Sequence, residues 1–463
     1  MVPRAGLQAD DELRILVTGA NSGLGFAICT RLIDEFLETH PPSSRLALIL
    51  TTRSQTKSSD TVQRLKAHLK RLCRREEKQS SGAGEELERR VRFQPEQLDL
   101  TCFLSIRRLA RKLIRGTDGV DCPPSIDVLI LNAGMGGWTG LNWPLTIWTV
   151  LTDMPHSVTW PLFKESGMGW LCKPQLPPSS KKAQINGQAV ETTSARTEPP
   201  LGEVFTANVF GHYMLAHELA PLLGRSKRGA RVIWLSSLEA YSKALDMNDF
   251  QGLQSKMVYE CTKRITDVLA LSSELSGTRP WVQEYFSITE DGHQSPPKMY
   301  LSHPGICATA IISLPLILEW LMIGAFYVAR WIGSPWHTCS SYKGAVAPVW
   351  LALASSSVLA QLEIDAEGES RKGKWGSAID IWGNERVART EVEGWGWAGA
   401  VGEGAEWRSG MGKRARWRHA RDLTEEKRVE FEESGREVWA EMERLRKDWE
   451  KRLDQHEAEA GQI

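Results

Sequence analysis

The apolar positions of this chain first form short uninterrupted runs, the pattern of strands buried on both faces of a parallel sheet. The runs cover residues 13–17, 46–52, 91–93, 126–131 and 231–235. Segments with helical spacing lie between and after them, at 61–78, 204–223 and 339–362. This alternation predicts an α/β fold with helices packed on a parallel sheet.

Several segments interrupt this pattern and predict the domain organisation. We expect an N-terminal arm (1–12), a catalytic domain (13–365) with insertions near 73–90, 135–203, 238–255 and 281–297, and an extension (366–463). The second insertion carries Trp138, Trp143, Trp148, Trp160 and Trp170. These side chains predict either a lid or wall over an apolar substrate or a surface excursion that packs its own aromatics. Residues 173–200 lack a core-forming pattern and are predicted to be a disordered loop.

Residues 310–333 form a very apolar stretch, but Pro315, Glu319 and Arg330 interrupt it. It therefore lacks the ~18 clean apolar residues of a spanning helix. Aromatic residues typical of a headgroup boundary punctuate it and follow it: Trp320, Tyr327, Trp331 and Trp336. We expect insertion into one leaflet, with a buried helix or an oligomer interface as alternatives.

The extension turns rich in glycine, tryptophan and charge, and residues 422–453 predict a long helix. Its apolar stripe consists of Val438, Met442, Leu445 and Trp449. We expect the stripe to dock on its own domain, with a partner helix or dimer seam as the alternative.

Composition narrows the function. Lys plus Arg equals Asp plus Glu at 57 each, so no general attraction to nucleic acid is expected. The eight cysteines include no C-x-x-C pair, and the acidic N-terminus lacks the apolar core of a signal peptide. We therefore expect a reducing, cytosol-facing setting and no metal site.

The first strand runs into a turn that carries Gly19, Gly23 and Gly25, followed by a helical pattern from Phe26. Glycine lets the backbone turn sharply and lets a pyrophosphate approach the N–H groups and positive dipole end of that helix. The turn predicts a dinucleotide site, although an ordinary βα turn also has this spacing.

The end of the second strand predicts which dinucleotide is used. Arg53 follows Thr52 directly and Lys57 supports it, whereas an acid at this position would repel a 2′-phosphate. We therefore expect NADPH; the alternative is that Arg53 caps a solvated loop.

Two further strand ends carry small or polar residues. Asp99 stands between Leu98 and Leu100, where it is either an adenine contact or the N-cap of the following helix. Asn132, Ala133 and Gly134 end the fourth strand, where a flat ring or a ribose can lie against them.

Proton-transfer chemistry is suggested by Tyr259 and Lys263, which lie one helical turn apart. An adjacent ammonium is expected to lower the pKa of a phenol. Ser237 ends a strand and would polarise a carbonyl, so that Tyr259 can protonate its oxygen. Asn208 would hold a water that links Lys263 to solvent.

Together these motifs resemble the short-chain dehydrogenase/reductase family over residues 13 to about 360. The matching motifs are Thr18-Gly19-x-x-x-Gly23-x-Gly25, Asp99, Asn132-Ala133-Gly134, Asn208, Ser237, Tyr259-x-x-x-Lys263 and Pro304-Gly305-x-x-x-Thr309. The resemblance implies a doubly wound, Rossmann-type sheet. It places the cofactor against Thr18, Gly19, Ser22, Gly23, Leu24, Gly25, Thr52, Arg53, Lys57, Asp99, Leu100, Asn132, Ala133, Gly134, Tyr259, Lys263, Pro304, Gly305 and Thr309. The intervals from Asn132 to Asn208 and from Ser237 to Tyr259 are longer than the family's, which affects substrate shape more than reaction type.

Three further stretches, residues 50–54, 208–213 and 374–384, resemble the fungal 3-keto-steroid reductases of ergosterol synthesis. This resemblance implies NADPH-dependent reduction of a sterol 3-ketone to the 3β-alcohol during C4 demethylation. It also implies the cytosolic face of the endoplasmic reticulum membrane, or lipid droplets, and partners among the other enzymes and scaffold of that complex. A reductase of another steroid or lipid ketone, such as a 17-ketone, and a non-catalytic NADPH-binding scaffold are the alternatives.

Overall fold

The computed structural model describes residues 12–78, 80–116, 122–177, 179–185, 188–194, 197–286, 296–308, 316–363, 371–402, 413–418 and 420–460. The strands are β1 (Glu12–Thr18), β2 (Arg45–Thr52), β3 (Val91–Gln97), β4 (Val128–Leu131), β5 (Trp138–Leu141), β6 (Lys164–Ser166), β7 (Ser179–Ile185), β8 (Gln188–Ser194), β9 (Arg231–Leu235), β10 (Lys298–His303), β11 (Lys374–Ile379) and β12 (Glu385–Thr390). The helices are α1 (Gly23–Thr39), α2 (Gln55–Glu77), α3 (Ala83–Arg89), α4 (Phe103–Arg115), α5 (Trp143–Thr159), α6 (Glu203–Phe205), α7 (Gly211–Glu218), α8 (Ala220–Gly224), α9 (Val258–Ser272), α10 (Arg279–Tyr285), α11 (Leu316–Trp331), α12 (Ser341–Gly344), α13 (Val346–Leu353), α14 (Ser356–Glu363) and α15 (Glu425–Ala460).

Eight strands form one sheet in the order β12-β11-β10-β9-β4-β1-β2-β3. All neighbours pair in parallel except β11 and β12, which are antiparallel. The chain winds outward from β1 to β3 and then crosses to β4 on the other side of β1. The predicted doubly wound sheet is therefore confirmed, and its strand order reverses between β1 and β4, where folds of this class bind ligands.

The core consists of two apolar layers, one on each face of the sheet. In β1, Leu16 belongs to the layer shared with α4, α7, α9 and α15, whereas Ile15 and Val17 belong to the layer shared with α1, α2 and α13. Successive side chains of a strand point to opposite faces, so a strand between two helical layers needs an unbroken apolar run. This is the physical reason for the runs in the sequence.

Several elements differ from the sequence-based expectations. The predicted helix over 204–223 is broken into α6, a π-helical turn (Thr206–Phe210), α7 and α8. The helix predicted over 339–362 is three short helices, α12 to α14. The loop expected near 73–90 contains α3, which packs on α2. Within the stretch predicted to be disordered, the backbones of β7 and β8 pair as an antiparallel hairpin.

The extension contributes to the sheet itself. Strands β11 and β12 follow the predicted boundary at residue 365, yet β11 pairs in parallel with β10 along residues 301–303. The sheet therefore continues beyond that boundary, and residues 374–390 belong to the catalytic domain.

Helix α15 docks on the domain along its predicted stripe. Val438, Met442, Leu445 and Trp449 are buried, and the Trp449 ring lies 5.1 Å from the ring of Phe103. Within the described chain the stripe is occupied by the protein's own core, as expected, so it is not available as a dimer seam.

Helix α11 covers the described part of the segment at 310–333; residues 309–315 lie outside the described residues. Its buried side chains are Phe326 and Ala329, whereas Ile317, Trp320 and Trp331 are exposed. In the described part of the chain, no single helix is long and apolar enough to cross a membrane. One sharply bent pair, α13 with α14, meets the length and composition criterion only when both helices are counted together.

Candidate active site

The glycine turn lies at the carboxyl end of β1, beside the end of β4. Gly19 has φ +69°, a left-handed conformation, and a side chain there would approach Ala133. A Cβ on Gly25 would lie 2.1 Å from the carbonyl oxygen of Gly19, so this position tolerates only glycine. The glycine turn therefore packs closely against the end of β4. Helix α1 begins at Gly23, and its first turn, which lies within the described residues, contains no acidic residue. This cradle fits a pyrophosphate at the helix N-terminus.

Hydrogen bonds hold the two strand ends together. The Thr18 hydroxyl accepts from the backbone N–H groups of Asn132 (2.8 Å) and Ala133 (3.0 Å), and the Asn132 amide donates to the Thr18 carbonyl. The same hydroxyl contacts Nε2 of buried His212 at 2.9 Å. Burial lowers the pKa of His212 to about 3, so this imidazole is neutral. Sequence reasoning missed His212, although it lies within the 208–213 motif.

The end of β2 presents the predicted cations to solvent. Arg53 and Lys57 are exposed, and Ser54 rather than Arg53 caps α2, accepting from Lys57 N–H at 3.4 Å. A third cation, Arg64, donates to the Asn21 carbonyl of the glycine turn at 3.1 Å, with its guanidinium 3.9 Å from the Phe26 ring centre. The sequence signal for Arg64 is its position seven residues after Lys57, on the same helix face.

Asp99 is not the N-cap of α4, because Cys102 occupies that position. One Asp99 carboxylate oxygen accepts from the Thr101 N–H and hydroxyl, at 3.0 and 2.7 Å. Asp99 therefore shapes the turn after β3, while adjacent Leu100 is buried with its carbonyl against Gly211. The adenine contact predicted for Asp99 stays a prediction.

Tyr259 and Lys263 lie in the first turns of α9, a helix buried along its whole length. The Lys263 ammonium is 5.5 Å from the centre of the Tyr259 ring and donates to the Leu235 carbonyl at 2.8 Å. Burial lowers the pKa of Lys263 to about 8, with Asp267 opposing the shift and Lys374 adding to it.

Tyr259 departs from the sequence-based expectation in the direction of its pKa. Burial raises the pKa of the phenol well above its usual value, and the charge of Glu239 adds to this, while a hydrogen bond with Ser237 acts the other way. Desolvation, and not the neighbouring ammonium of Lys263, therefore sets the direction of the shift. Tyr259 is fully protonated at neutral pH, as a proton donor must be.

The structure separates the roles of the two adjacent serines. Ser237 hydrogen-bonds Tyr259, and its hydroxyl also accepts from Glu239 N–H at 3.2 Å. Ser236 is buried, and its hydroxyl donates to Asp267. Lys374 of β11 joins this group by donating to the Ser237 carbonyl and to Asp267, at 2.6 Å each. Asp267 and Lys374 were both missed from the sequence.

Asn208 lies in the π-helical turn. Its amide accepts from Met135 N–H at 2.7 Å and donates to the Met135 carbonyl at 2.9 Å, and it also donates to the Thr262 hydroxyl at 3.1 Å. Its side chain thus joins the β4 end to the turn that precedes Lys263. The water predicted between Asn208 and Lys263 stays a prediction.

Pro304 and Gly305 follow β10 on the same edge of the sheet. The Pro304 carbonyl accepts from the Thr338 hydroxyl at 3.1 Å, and Gly305 N–H donates to Nδ1 of His303 at 3.1 Å. The predicted cofactor contact of Thr309 falls outside the described residues.

The tryptophans of the second insertion divide into two groups. Trp138 lies against Tyr259 with ring centres 4.8 Å apart, and Trp160 is buried. Trp143, Trp148 and Trp170 are exposed by 48, 68 and 38%. Trp138 therefore forms a wall beside the phenol, whereas the exposed group does not pack its own aromatics into a closed excursion.

A parallel sheet with a glycine cradle at its switch point, and Ser237, Tyr259 and Lys263 on the adjoining edge, defines a short-chain dehydrogenase/reductase. Comparisons with known proteins specify the type. The 3-keto-steroid reductase of Aspergillus fumigatus is 44% identical over 96% of this chain and 96% of its own length. Those of Gibberella zeae (40%, 97% and 96%) and Schizosaccharomyces pombe (30%, 82% and 90%) are also similar. The chain belongs to this family of fungal 3-keto-steroid reductases and is an oxidoreductase.

The chain was also compared with solved structures and with protein-family models. A solved short-chain type dehydrogenase/reductase from Mycobacterium ulcerans is 14% identical, covering 75% of this chain and 84% of its own, with a TM-score of 0.37. No family model matches the chain.

Proposed function

We propose that this protein reduces the 3-ketone of a sterol to the 3β-alcohol with NADPH, during C4 demethylation in ergosterol synthesis. The observation that carries the proposal is the protonated, Ser237-bonded Tyr259 beside Lys263, in a chain 44% identical to a 3-keto-steroid reductase. A pure scaffold has no physical need for such a buried proton donor.

The cofactor would lie along the switch point. Gly19, Gly23 and Gly25 would hold the pyrophosphate, Asn132 to Gly134 the ribose and nicotinamide side, and Lys263 the ribose hydroxyls. Arg53, Lys57 and Arg64 would receive the 2′-phosphate, because Arg53 and Lys57 are exposed after β2 and Arg64 donates to the Asn21 carbonyl of the glycine turn. When bound, NADPH supplies the hydride that reduces the ketone carbon.

The protein's own groups handle the proton. Ser237 orients the ketone oxygen beside Tyr259, and the Tyr259 hydroxyl donates its proton to that oxygen as negative charge develops there. Lys263 stabilises the phenolate that remains. Trp138 excludes water from one side of the phenol and offers an apolar face to the sterol rings.

A substrate panel tests the proposal. Purified protein is incubated with NADPH and with matched 3-keto and 17-keto steroids, and cofactor oxidation and the alcohol formed are measured. We expect turnover of 3-ketones to 3β-alcohols. Turnover of 17-ketones alone would assign a 17-ketone as the substrate. Turnover of no ketone would overturn the proposed reduction reaction.

We also propose that α5 and α11 insert together into one leaflet, so that the sterol enters from the bilayer. The two helices pack on each other, and both expose large apolar side chains. We call this the apolar surface; it consists of Trp143, Ile147, Trp148, Leu151, Ile317, Trp320, Leu321 and Trp331. Exposed large apolar side chains on two packed helices are typical of a membrane or protein contact, so an oligomer interface is the alternative.

Extraction by alkaline carbonate tests this insertion. We expect wild-type protein to stay with membranes and Trp320→Glu/Leu321→Glu to be released. Val429→Glu, at an apolar position exposed by 54% on α15, is the matched control and should behave as wild type. Release of the wild type, or a dimer in detergent that the double variant disrupts, would favour an oligomer interface.

Localisation at the cytosolic face of the endoplasmic reticulum, and association with the other C4-demethylation enzymes and their scaffold, rest on the family resemblance. A fluorescent fusion that colocalises with an endoplasmic reticulum marker would support the localisation at that membrane. Fluorescence on lipid droplets would support the alternative localisation there. Co-purification with those enzymes after chemical cross-linking tests the association.

A further inference from the structure

A buried ionic cluster lies beside Tyr259 and is not among the residues that the proposed reaction uses. Lys164 of β6 forms ion pairs with Glu239, which follows β9, and with Glu260, the residue after Tyr259, the latter at 3.7 Å. The three side chains are exposed by 3, 9 and 6%. Removing three charged groups from water costs desolvation free energy. A buried cluster of this kind is therefore a candidate for a functional role.

The cluster touches the active site through two aromatic rings. The Lys164 ammonium lies 3.8 Å from the ring centre of Trp138, which is the wall beside Tyr259. The same ammonium lies 5.3 Å from the ring centre of Tyr259, compared with 5.5 Å for Lys263. The ammonium groups of Lys164 and Lys263, which belong to different elements, therefore lie at nearly the same distance from the Tyr259 ring.

We propose that Lys164 is a positioning residue that fixes the Trp138 wall and, in balance with Glu239 and Glu260, sets how readily Tyr259 gives up its proton. The proposal rests on the proposed reductase function. A cation near the phenol favours the phenolate, and a nearby carboxylate opposes it. Removing Lys164 and removing Glu239 should therefore have opposite effects on Tyr259.

Among the described residues, Tyr259 also lies near Lys263 on its own helix and near Cys307 after β10, and Cys307 adds to the raised pKa of the phenol. Within the cluster, burial raises the pKa of Glu260 to about 7, with Lys164 opposing the shift. Glu260 therefore changes its protonation near neutral pH, and the charge of the cluster changes with it.

The test uses alcohol oxidation with NADP⁺, the reverse of the proposed reaction. In that direction the substrate hydroxyl gives its proton to the Tyr259 phenolate while hydride leaves the carbinol carbon for NADP⁺. The ascending limb of kcat/KM against pH therefore follows ionisation of Tyr259, and because burial raises the pKa of this phenol the limb is measured at alkaline pH. We expect Lys164→Met to move this limb up, and Glu239→Gln to move it down, by at least about half a pH unit each.

Matched variants separate this role from a structural one. Lys164→Arg keeps the charge and should retain the wild-type limb, and the double variant Lys164→Met/Glu239→Gln removes a neutral pair and should fall between the single variants. If Lys164→Met does not fold, Glu239→Gln and the double variant still decide. Lower rates with unmoved limbs, or shifts in the same direction, would overturn the proposal.

A readout without turnover distinguishes failure of the cluster from failure of the proposed reaction. Infrared titration should show a buried carboxyl that protonates near the pKa of about 7 that Glu260 has here, and this band should be lost in Glu260→Gln. If the band persisted in Glu260→Gln, Glu260 would not be the carboxyl that titrates, and the proposed role of the ionic cluster would be contradicted. A wild type that shows this band and turns over no ketone would overturn the proposed reaction instead.

Discussion

Lys374 donates a hydrogen bond to the backbone carbonyl of Ser237 at 2.6 Å, and thereby joins the last parallel strand of the sheet to the serine of the candidate active site. The same ammonium donates to buried Asp267 at 2.6 Å, and Asp267 accepts from Ser236. The stretch at 374–384, which resembles the 3-keto-steroid reductases, thus begins with a residue that holds the backbone of Ser237 in place.

Replacing Lys374 by Met should leave the Asp267 carboxylate buried without its cation. Removal of one partner from such a pair typically costs about 3–5 kcal/mol. We expect this loss in the free energy of unfolding, measured by urea denaturation, together with a lower kcat. The double variant Lys374→Met/Asp267→Asn removes both charges and should regain most of the stability. A double variant no more stable than Lys374→Met would show that the pair is not coupled.

The glycine turn, Arg53 and the pair Tyr259 and Lys263 could be placed on their strands and helices from the sequence because their signals are local. Glycine spacing after β1, the cation after β2 and the four-residue interval from Tyr259 to Lys263 each lie within a single turn or helix. The pairing of Lys374 with Asp267 joins residues 107 positions apart, and Lys164 reaches Glu239 across 75. No periodicity reports contacts of that separation, so these residues were missed.

Burial is the second property that the sequence did not reveal. The interval from Tyr259 to Lys263 predicts that the two groups share a face, but it does not predict that α9 is enclosed on all sides. Desolvation therefore raises the pKa of Tyr259, where the interval alone predicted that the pKa would be lowered.

Tyr259→Phe removes the proton donor while keeping the ring that packs on Trp138. We expect kcat for ketone reduction to fall by at least about 10²-fold, with the Kd for NADPH, measured by fluorescence, within about twofold of the wild type. Tyr300→Phe, the same change at a buried position on β10, is the control and should retain activity. Near-normal turnover by Tyr259→Phe would contradict the assigned role.

Arg53→Glu tests the cofactor preference. A carboxylate after β2 repels the 2′-phosphate and can accept from a ribose hydroxyl, so kcat/KM with NADPH should fall at least about tenfold while that with NADH holds or rises. Arg45→Glu places the same charge at the exposed opposite end of β2 and should leave the ratio unchanged. Equal ratios in the two variants would exclude Arg53 as the determinant.

The pH dependence of ketone reduction should reflect Lys263. Burial lowers the pKa of this lysine to about 8, so its ammonium loses the proton as the pH rises through that value. We expect kcat to be highest below about pH 8 and to decline above it. Lys263→Met should have low activity throughout and lack this decline. An unchanged descending limb in Lys263→Met would assign the ionisation to another group.

Trp449 tests the docking of α15. Its side chain is buried on α4 beside Phe103, far along the sequence from the active site. Trp449→Ala should lower the free energy of unfolding by about 3–5 kcal/mol, because it leaves a cavity in the core. Val429→Ala, at an exposed position on the same helix, should change it by no more than about 0.5 kcal/mol. If α15 instead docked on a partner, Trp449→Ala would change the oligomeric state in analytical ultracentrifugation and leave the monomer's stability intact.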